Sequence, residues 1–369
     1  MPVFIRSTAE LRHWVERLAS CQVLAVDTEF HPERKYFPEL MLVQLRGDEG
    51  EVLLIDPRGD VDLRLLSPLI ESKVLLVHGG EQDVDLLARA TGGRATRWFD
   101  TQVAAGFCGL GYPRRLGDLV LAVLGRAMDK GETLSDWSRR PLSAEQLRYA
   151  ADDVLVLAPL ATALRERVEA MGHAAGLEAC LGERLAEAHA APADELAWRR
   201  VPSAHLLDDR ERAIVAALAA WREKSARFSD VPPHSIAPDH VLVDLARRRP
   251  QSAEAMRENR RMPSQVWKQH GATILGILAG ADRLPVPLAP ITGLAADALR
   301  LAARLAEVEG GVAAALVLQE REVDYILKGL QIAHWRLQAL GAAFLDFTRE
   351  RTAISVRGKW SPTIAIDDR

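Results

Sequence analysis

The stretch 23–45, VLAVDTEFHPERKYFPELMLVQL, decides how the rest of the chain is read. Its ends, VLAV and LMLVQL, have the Leu-rich and β-branched character of buried strands, and turn formers lie between them. Yet the first strand closes on Asp27 and Glu29. Side chains two apart on a strand project from one face, so these acids stand side by side. Two like charges that close raise one another's pKa unless a cation lies between them. The pattern asks for a cation.

Outward from this stretch, the first half of the chain alternates in character. Further strand-like runs are EVLLID (51–56) and VLLVHGG (74–80). Amphipathic helical runs such as TAELRHWVERLAS, EQDVDLLARAT and RRLGDLVLAVLG separate or follow them. The stretch from 52 to 80 reads as strand, turn, helix and strand, a crossover unit of an α/β sheet. The first three strands follow one another through short loops, which predicts a mixed sheet with an antiparallel part. Beyond about residue 155 the strand signal stops and Ala-, Leu-, Arg- and Glu-rich helical patterns take over. Residues 191–211 and the proline-rich 281–293 read as linkers. The tail, TAISVRGKWSPTIAIDD (352–368), alternates like a hairpin or a loose extended segment.

With 369 residues the chain has room for two or three domains, and an apolar fraction of 48% with 27% charged residues is that of a soluble globular protein. A net charge of −4 argues neither for nor against nucleic acid, since a local basic stripe outweighs the total. Cys21, Cys108 and Cys180 fall in no metal-ligand or CxxC spacing, so reduced structural thiols are expected, with neither a disulfide framework nor a zinc site. No signal-peptide core and no run of about eighteen apolar residues is present, so a cytoplasmic protein without a membrane span is expected.

Four acids and a tyrosine carry the chemistry. Asp27 and Glu29 share a strand face; Asp83 opens a helix after VLLVHGG; Tyr149 and Asp153, four apart in LRYAADDVLVL, stack on one helix face. Glu81 and Asp85 compete with Asp83, and Asp152 with Asp153; offsets from His78 and Tyr149 favour the first-named acids. Hard carboxylate oxygens without His or Cys partners suit Mg2+ or Mn2+. Such a set fits two-metal phosphodiester hydrolysis, with the phenol orienting a water. No Gly-rich phosphate loop of the nucleotide-hydrolase kind occurs.

At these residues the chain resembles the ribonuclease D family, DEDD exonucleases with a tyrosine in the third motif. VDTEF with KYFPELMLVQL is similar to the first motif, VHGGEQDVDLL (77–87) to the second, and 116–154, ending in YAADDV, to the third. The resemblance runs in order through residues 20–160 and continues downstream. Residues 206–278, from LLDDRERAIVAALAAWREKSARFSD through to KQHGATILGIL, resemble an HRDC domain, and 290–350, with AHWRLQALGAAFLDF, faintly resembles a second copy in which His334 replaces the usual glycine. The resemblance implies an α/β nuclease domain with a ribonuclease H-like mixed sheet over 1–190, followed by all-α HRDC-type domains over 204–282 and 290–350 and a tail over 351–369. It implies a monomeric, Mg2+- or Mn2+-dependent 3′–5′ exoribonuclease that trims transfer-RNA precursors and other structured RNAs. In this reading Asp27, Glu29, Asp83 and Asp153 hold two metal ions and Tyr149 positions the water.

Candidate RNA contacts are weaker. In 136–143, DWSRRPLS, Trp137 and Arg140 read equally as substrate contacts or as a packed corner. Gln44 and Lys130 are single polar residues, and His78 reads first as a hydrogen-bonded core histidine, though all three are carried as candidates. The run 246–271 holds seven Arg and Lys residues, among them Arg247, Arg248, Arg260, Arg261 and Lys268, beside Trp267, which suits phosphates and a stacked base as well as a solvated helix face. A DNA exonuclease using the same five residues and a non-catalytic binding module remain the rival readings; no pattern in the chain reveals recognition of the 2′-hydroxyl.

Overall fold

In the computed structural model, residues 2–31, 35–128, 135–190, 193–202, 204–258, 262–286, 293–348, 352–357 and 363–368 are described. The chain divides into two units: residues 1–30, 40–190 and 292–369 form the first, and residues 31–39 and 191–291 the second.

The first unit is built on a six-stranded sheet of β1 (Val3–Ser7), β2 (Val23–His31), β3 (Glu39–Arg46), β4 (Leu53–Asp60), β5 (Val74–Val77) and β6 (Arg97–Asp100), in the order β1-β4-β3-β2-β5-β6. β1 runs parallel to β4, β3 antiparallel to β4, and β2, β5 and β6 parallel to one another. This is the mixed sheet expected from the short loops. Two of its strands, β1 and β6, are not among the runs singled out in the sequence. β1 (VFIRS) and β6 (RWFD) include charged or polar residues that cut short the apolar run by which the equally short β5 (VLLV) is recognised. A 3-10 turn (Leu63–Leu66) and α2 (Ser67–Ser72), which follows α1 (Thr8–Leu18) in the chain, carry it from β4 to β5 past the two intervening strands.

Helices α3 (Glu81–Thr91), α4 (Thr101–Phe107), α5 (Leu116–Leu124), α6 (Ala144–Leu155), α7 (Leu157–Ala170) and α8 (Ala174–Ala188) belong to this unit. Their ends follow local chemistry. Ser7 with Glu10 and Ser143 with Gln146 form reciprocal capping boxes that start α1 and α6, and α3 stops at Gly92, left-handed at φ 79°. Leu24, Leu42, Leu54 and Leu75 lie in the sheet core without measurable exposure.

The second unit is helical: α9 (Asp209–Ser229), α10 (Pro233–Ile236), α11 (Asp239–Arg248), α12 (Ala253–Arg257) and α13 (Ser264–Ala279). Trp198, Leu218, Leu242 and Ile274 are at its core. The segment after β2 belongs here: the Tyr36 hydroxyl donates to Glu223 (3.1 Å) and accepts from Arg227 (3.1 Å), and the Phe37 N–H donates to Asp230 (3.2 Å).

α14 (Leu294–Gly310), α15 (Ala314–Val317), α16 (Glu320–Leu327) and α17 (His334–Thr348) group with the sheet in the first unit, as do β7 (Thr352–Arg357) and β8 (Thr363–Asp368), an antiparallel pair. A buried polar network fixes them there. Arg336, 3% exposed, donates to Glu183 of α8 (2.5 Å) and to the Leu316 carbonyl (3.0 Å), and lies 3.3 Å from the buried Glu322; the neighbouring Trp335 indole donates to the other Glu183 oxygen (2.9 Å). Among the described residues no helix is long and apolar enough to cross a membrane, and the three cysteines are buried free thiols.

Removing Arg336 leaves the buried Glu322 with only the half-exposed Arg321 (3.0 Å) as a charged partner and costs Glu183 and the Leu316 carbonyl their guanidinium donors. Arg336→Ala is therefore expected to destabilise the chain by about 3–5 kcal/mol. Urea unfolding measures it, and a loss under about 1 kcal/mol would mean that the network is no more than a surface ion pair.

Candidate active site

Parallel strands deliver their carboxyl ends to one edge of a sheet, and the turns that follow them meet there. β2 is registered with β5 over Val23–Ala25 against Val74–Leu76 and then runs on, carrying Asp27 and Glu29 in its carboxyl half. β5 ends at Val77, and His78, Gly79 and Gly80 turn the chain into α3, with Asp83 in its first turn. α6 adds Asp153. One carboxylate oxygen each of Asp27, Glu29 and Asp153 lies within 4.8 Å of the others. The hydroxyl of Thr28, between the two strand acids, donates to Asp83. Tyr149, one turn before Asp153, hydrogen-bonds its carboxylate. The structure thus gathers Asp27, Glu29 and Asp153, while Asp83 is tied to Thr28 outside that 4.8 Å group, near enough for its charge to raise Asp27 and Glu29.

The turn that delivers Asp83 is held by a residue that sequence reasoning passed over. Asp100, 1% exposed, caps α4 by accepting from the N–H groups of Gln102 (2.8 Å) and Val103 (3.3 Å), and also accepts from those of Gly79 (2.9 Å) and Gly80 (3.1 Å). Gly79 is left-handed (φ 64°), and a Cβ on Gly80 would meet the Val77 side chain at 2.4 Å, so both glycines are required. The available signal was an Asp directly before a helical run, the mark of an N-cap.

Burial is the main cause that pushes the Asp27 carboxyl well above the usual carboxylate range, with the charges of Asp83, Asp153 and Glu29 adding to it. Burial, then Asp153 and Asp83, raises Glu29 to about 8. Burial carries Asp153 to about 7 against the Tyr149 hydrogen bond, and Asp83 to about 6 against that from Thr28. All four cannot ionise together near neutrality without a counter-charge. Their oxygen-only donor set fits a hard divalent cation. The competing acids are neutralised differently: Glu81 pairs with Arg184 (2.5 Å), Asp85 with Arg89 (2.8 Å) and Asp152 with Arg126 (3.3 Å).

Several candidate RNA contacts require correction. Gln44 is fully buried, with neither amide atom hydrogen-bonded, and has no surface to offer RNA. Both ring nitrogens of His78 are engaged, Nε2 with the Arg114 carbonyl (2.8 Å) and Nδ1 with the Thr101 hydroxyl (2.9 Å). Trp137 is 3% exposed, and every N–H of Arg140 is used inside the protein. These two form the packed corner, not a substrate surface. Lys130, Arg260 and Arg261 lie outside the described residues. In the second unit Arg247, Arg248 and Lys268 are exposed, with Arg248 paired to Asp244 (3.0 Å). Trp267 packs partly on the core, and Arg257 sits 4.5 Å over its ring, where a base would stack.

Residues 2–169 match the family model of 3′-5′ exonucleases, and residues 211–278 that of the HRDC domain. Ribonuclease D of Shewanella sp. (strain ANA-3) is 34% identical over 76% of this chain and 72% of its own length; that of Escherichia coli K12 is 32% identical over 74% and 73%. The chain belongs to the ribonuclease D family. The solved structure of Escherichia coli RNase D superposes with a TM-score of 0.79 at 26% identity, covering 95% of this chain and 99% of that one. Like its ribonuclease D relatives, the protein is a 3′-5′ exoribonuclease, and its substrate is RNA.

The raised carboxyls carry a stability consequence. A carboxyl whose folded pKa exceeds its unfolded one holds a proton in the folded chain alone between the two values, so stability falls as pH rises through that window. Here the window runs from about 4 to about 8. In EDTA the Tm is expected to drop by at least about 5 °C between pH 5 and pH 8. The drop should shrink in Asp27→Asn; an unchanged drop would trace it to other groups.

Proposed function

We propose that Asp27, Glu29, Asp83 and Asp153 hold two divalent ions, Mg2+ or Mn2+, and that Tyr149 positions the water that hydrolyses the 3′-terminal phosphodiester, releasing nucleoside monophosphates. The observation that carries this reading is the meeting of three carboxylate oxygens within 4.8 Å, where burial raises each acid and repulsion from Asp83 and Asp153 adds to it at Asp27 and Glu29. When bound, such ions supply Lewis-acid activation of water and neutralise charge on the phosphate. The chain's own residues do the rest. Tyr149 spends its proton on Asp153, which favours the ionised carboxylate and leaves the phenolic oxygen free to accept from a water. Thr28 does the same for Asp83.

The substrates in this reading are the 3′ ends of transfer-RNA precursors and other structured RNAs, trimmed by a cytoplasmic monomer. The solved Escherichia coli relative is described as an exoribonuclease involved in structured RNA processing, which supports it. An exonuclease domain over 1–190, an HRDC domain over 204–282 and a divergent HRDC-like segment over 290–350 belong to the same proposal. The exposed Arg247, Arg248 and Lys268 would grip phosphates and make binding salt-dependent.

Digestion of 5′-labelled RNA and DNA strands of one sequence tests the proposal. RNA alone should shorten stepwise from its 3′ end, EDTA should stop the reaction, and added Mg2+ should restore it. Asp27→Ala should lose about a thousandfold or more in rate. Its Tm in EDTA at pH 8 should not fall, because one of four repelling carboxyls is gone. Digestion that persists in EDTA sinks the metal assignment, equal attack on DNA sinks the substrate assignment, and an unfolded Asp27→Ala makes that residue structural.

A further inference from the structure

Arg140 carries five N–H bonds, and the protein accepts all of them. Nε and one Nη2 hydrogen form a fork to the two carboxylate oxygens of Asp56 on β4 (2.8 Å each), and the other Nη2 hydrogen reaches the Met41 carbonyl on β3 (2.8 Å). Nη1 donates to the carbonyls of Trp137 and Arg139 (2.8 Å each). Asp56 is 1% exposed and also accepts from the Arg58 N–H (3.0 Å). Burial alone would raise its carboxyl; the hydrogen bonds from Arg140, then from Arg58, hold it below the usual range instead. The guanidinium therefore fastens a loop to the sheet.

That loop ends against the site. The Trp137 ring, 3% exposed, lies 6.3 Å from the Tyr149 ring, centroid to centroid, tilted by 44°. At its other end Ser135 accepts from the side chain of Gln146, the capping residue of α6 (3.1 Å). The segment 135–141 thus bridges the sheet and the helix that bears both Tyr149 and Asp153.

We propose that Arg140 and Asp56 are positioning residues, a brace that seats Trp137 against Tyr149 and so fixes the direction of its phenol. The proposal rests on the reading of Tyr149 as the residue that aims the water. Without the brace the ring has room to swing, and a displacement of about 1 Å at a reacting group is enough to cost about a hundredfold in rate. Lysine cannot stand in, since its point charge lacks the planar fork that engages Asp56 and three carbonyls together.

A mutant cycle on single-strand RNA digestion tests it, using Arg140→Gln, Trp137→Phe, Tyr149→Phe and their combinations. Arg140→Gln should lower kcat by about ten- to a hundredfold with KM within about twofold. In the Tyr149→Phe background Arg140→Gln and Trp137→Phe should each cost no more than about twofold, because the group they act through is gone. If Tyr149→Phe alone leaves kcat unchanged, the water-positioning reading fails whatever Arg140 does. If Arg140→Gln keeps its full effect in that background, or acts on KM, the brace proposal is overturned and a direct RNA contact takes its place. Should Arg140→Gln fail to fold, the combined Asp56→Asn and Arg140→Gln, which buries no lone charge, decides in the same cycle. Independently of activity and metal, protein carrying 3-fluorotyrosine should show the Tyr149 resonance, assigned by its loss in Tyr149→Phe, displaced in the Arg140 variant. An undisplaced resonance overturns the proposal.

Discussion

Carboxyl groups gather at one edge of the sheet because β2 runs on past its register with the parallel β5, the turn after β5 brings Asp83 close to the β2 acids, and α6 delivers Asp153 to the same edge. That meeting is uphill for the protein on its own. Burial and mutual repulsion push the acids above their ordinary range, Glu29 to about 8 and Asp153 to about 7. A scaffold that holds repelling groups together has to be rigid at each point of delivery. The strand supplies rigidity for Asp27 and Glu29 through its ladder. The two-glycine turn, tied by Asp100, supplies it for Asp83. The capping box at Ser143 and Gln146 fixes where α6 begins, and hence which way Tyr149 and Asp153 face.

Each delivery point depends on a chemistry different from that of the site it serves. The turn after β5 tolerates no Cβ at Gly80, and α6 starts where a serine hydroxyl satisfies an orphan N–H. These are local constraints, spread along more than a hundred residues of chain, and none involves a metal-binding group. The acids themselves can stay few because backbone geometry does the aiming.

The clustering of Asp27, Glu29 and Asp153 was legible in the sequence, and the reason is periodicity. Asp27 and Glu29 at a spacing of two, and Tyr149 and Asp153 at a spacing of four, are unambiguous once strand and helix are assigned around them. The mixed sheet followed from loop lengths, whereas β1 and β6 were hidden by the charged and polar residues that interrupt their apolar runs. The RNA contacts fared worse. From sequence Arg140 reads equally as a substrate contact or a packed corner and His78 first as a core histidine; the partners that decide are backbone carbonyls, the Thr101 hydroxyl and an acid 84 residues away, which no local pattern encodes. Gln44 sits in an apolar run, and its burial followed from the strand, though its lack of a hydrogen-bond partner did not. The grouping of α14–α17 with the sheet rests on Arg336 meeting Glu183, again a contact between distant segments.

Burial alone does not distinguish the acids that build this unit from those gathered at its edge. Asp56 and Asp100 are each 1% exposed, less than Asp83 at 8% or Asp153 at 9%. The difference lies in the donors around them. Asp100 accepts four backbone N–H groups, and Asp56 accepts a guanidinium fork and a backbone N–H, so each carboxylate meets its compensation within the fold. Asp83 and Asp153 each receive a side-chain hydroxyl that only partly offsets burial, and they face other acids. A buried carboxylate ringed by N–H donors is finished as a structural element. One that faces other carboxylates keeps a repulsion that the fold itself does not offset and that a divalent cation would relieve, and that separates scaffold from site in this molecule without reference to sequence motifs.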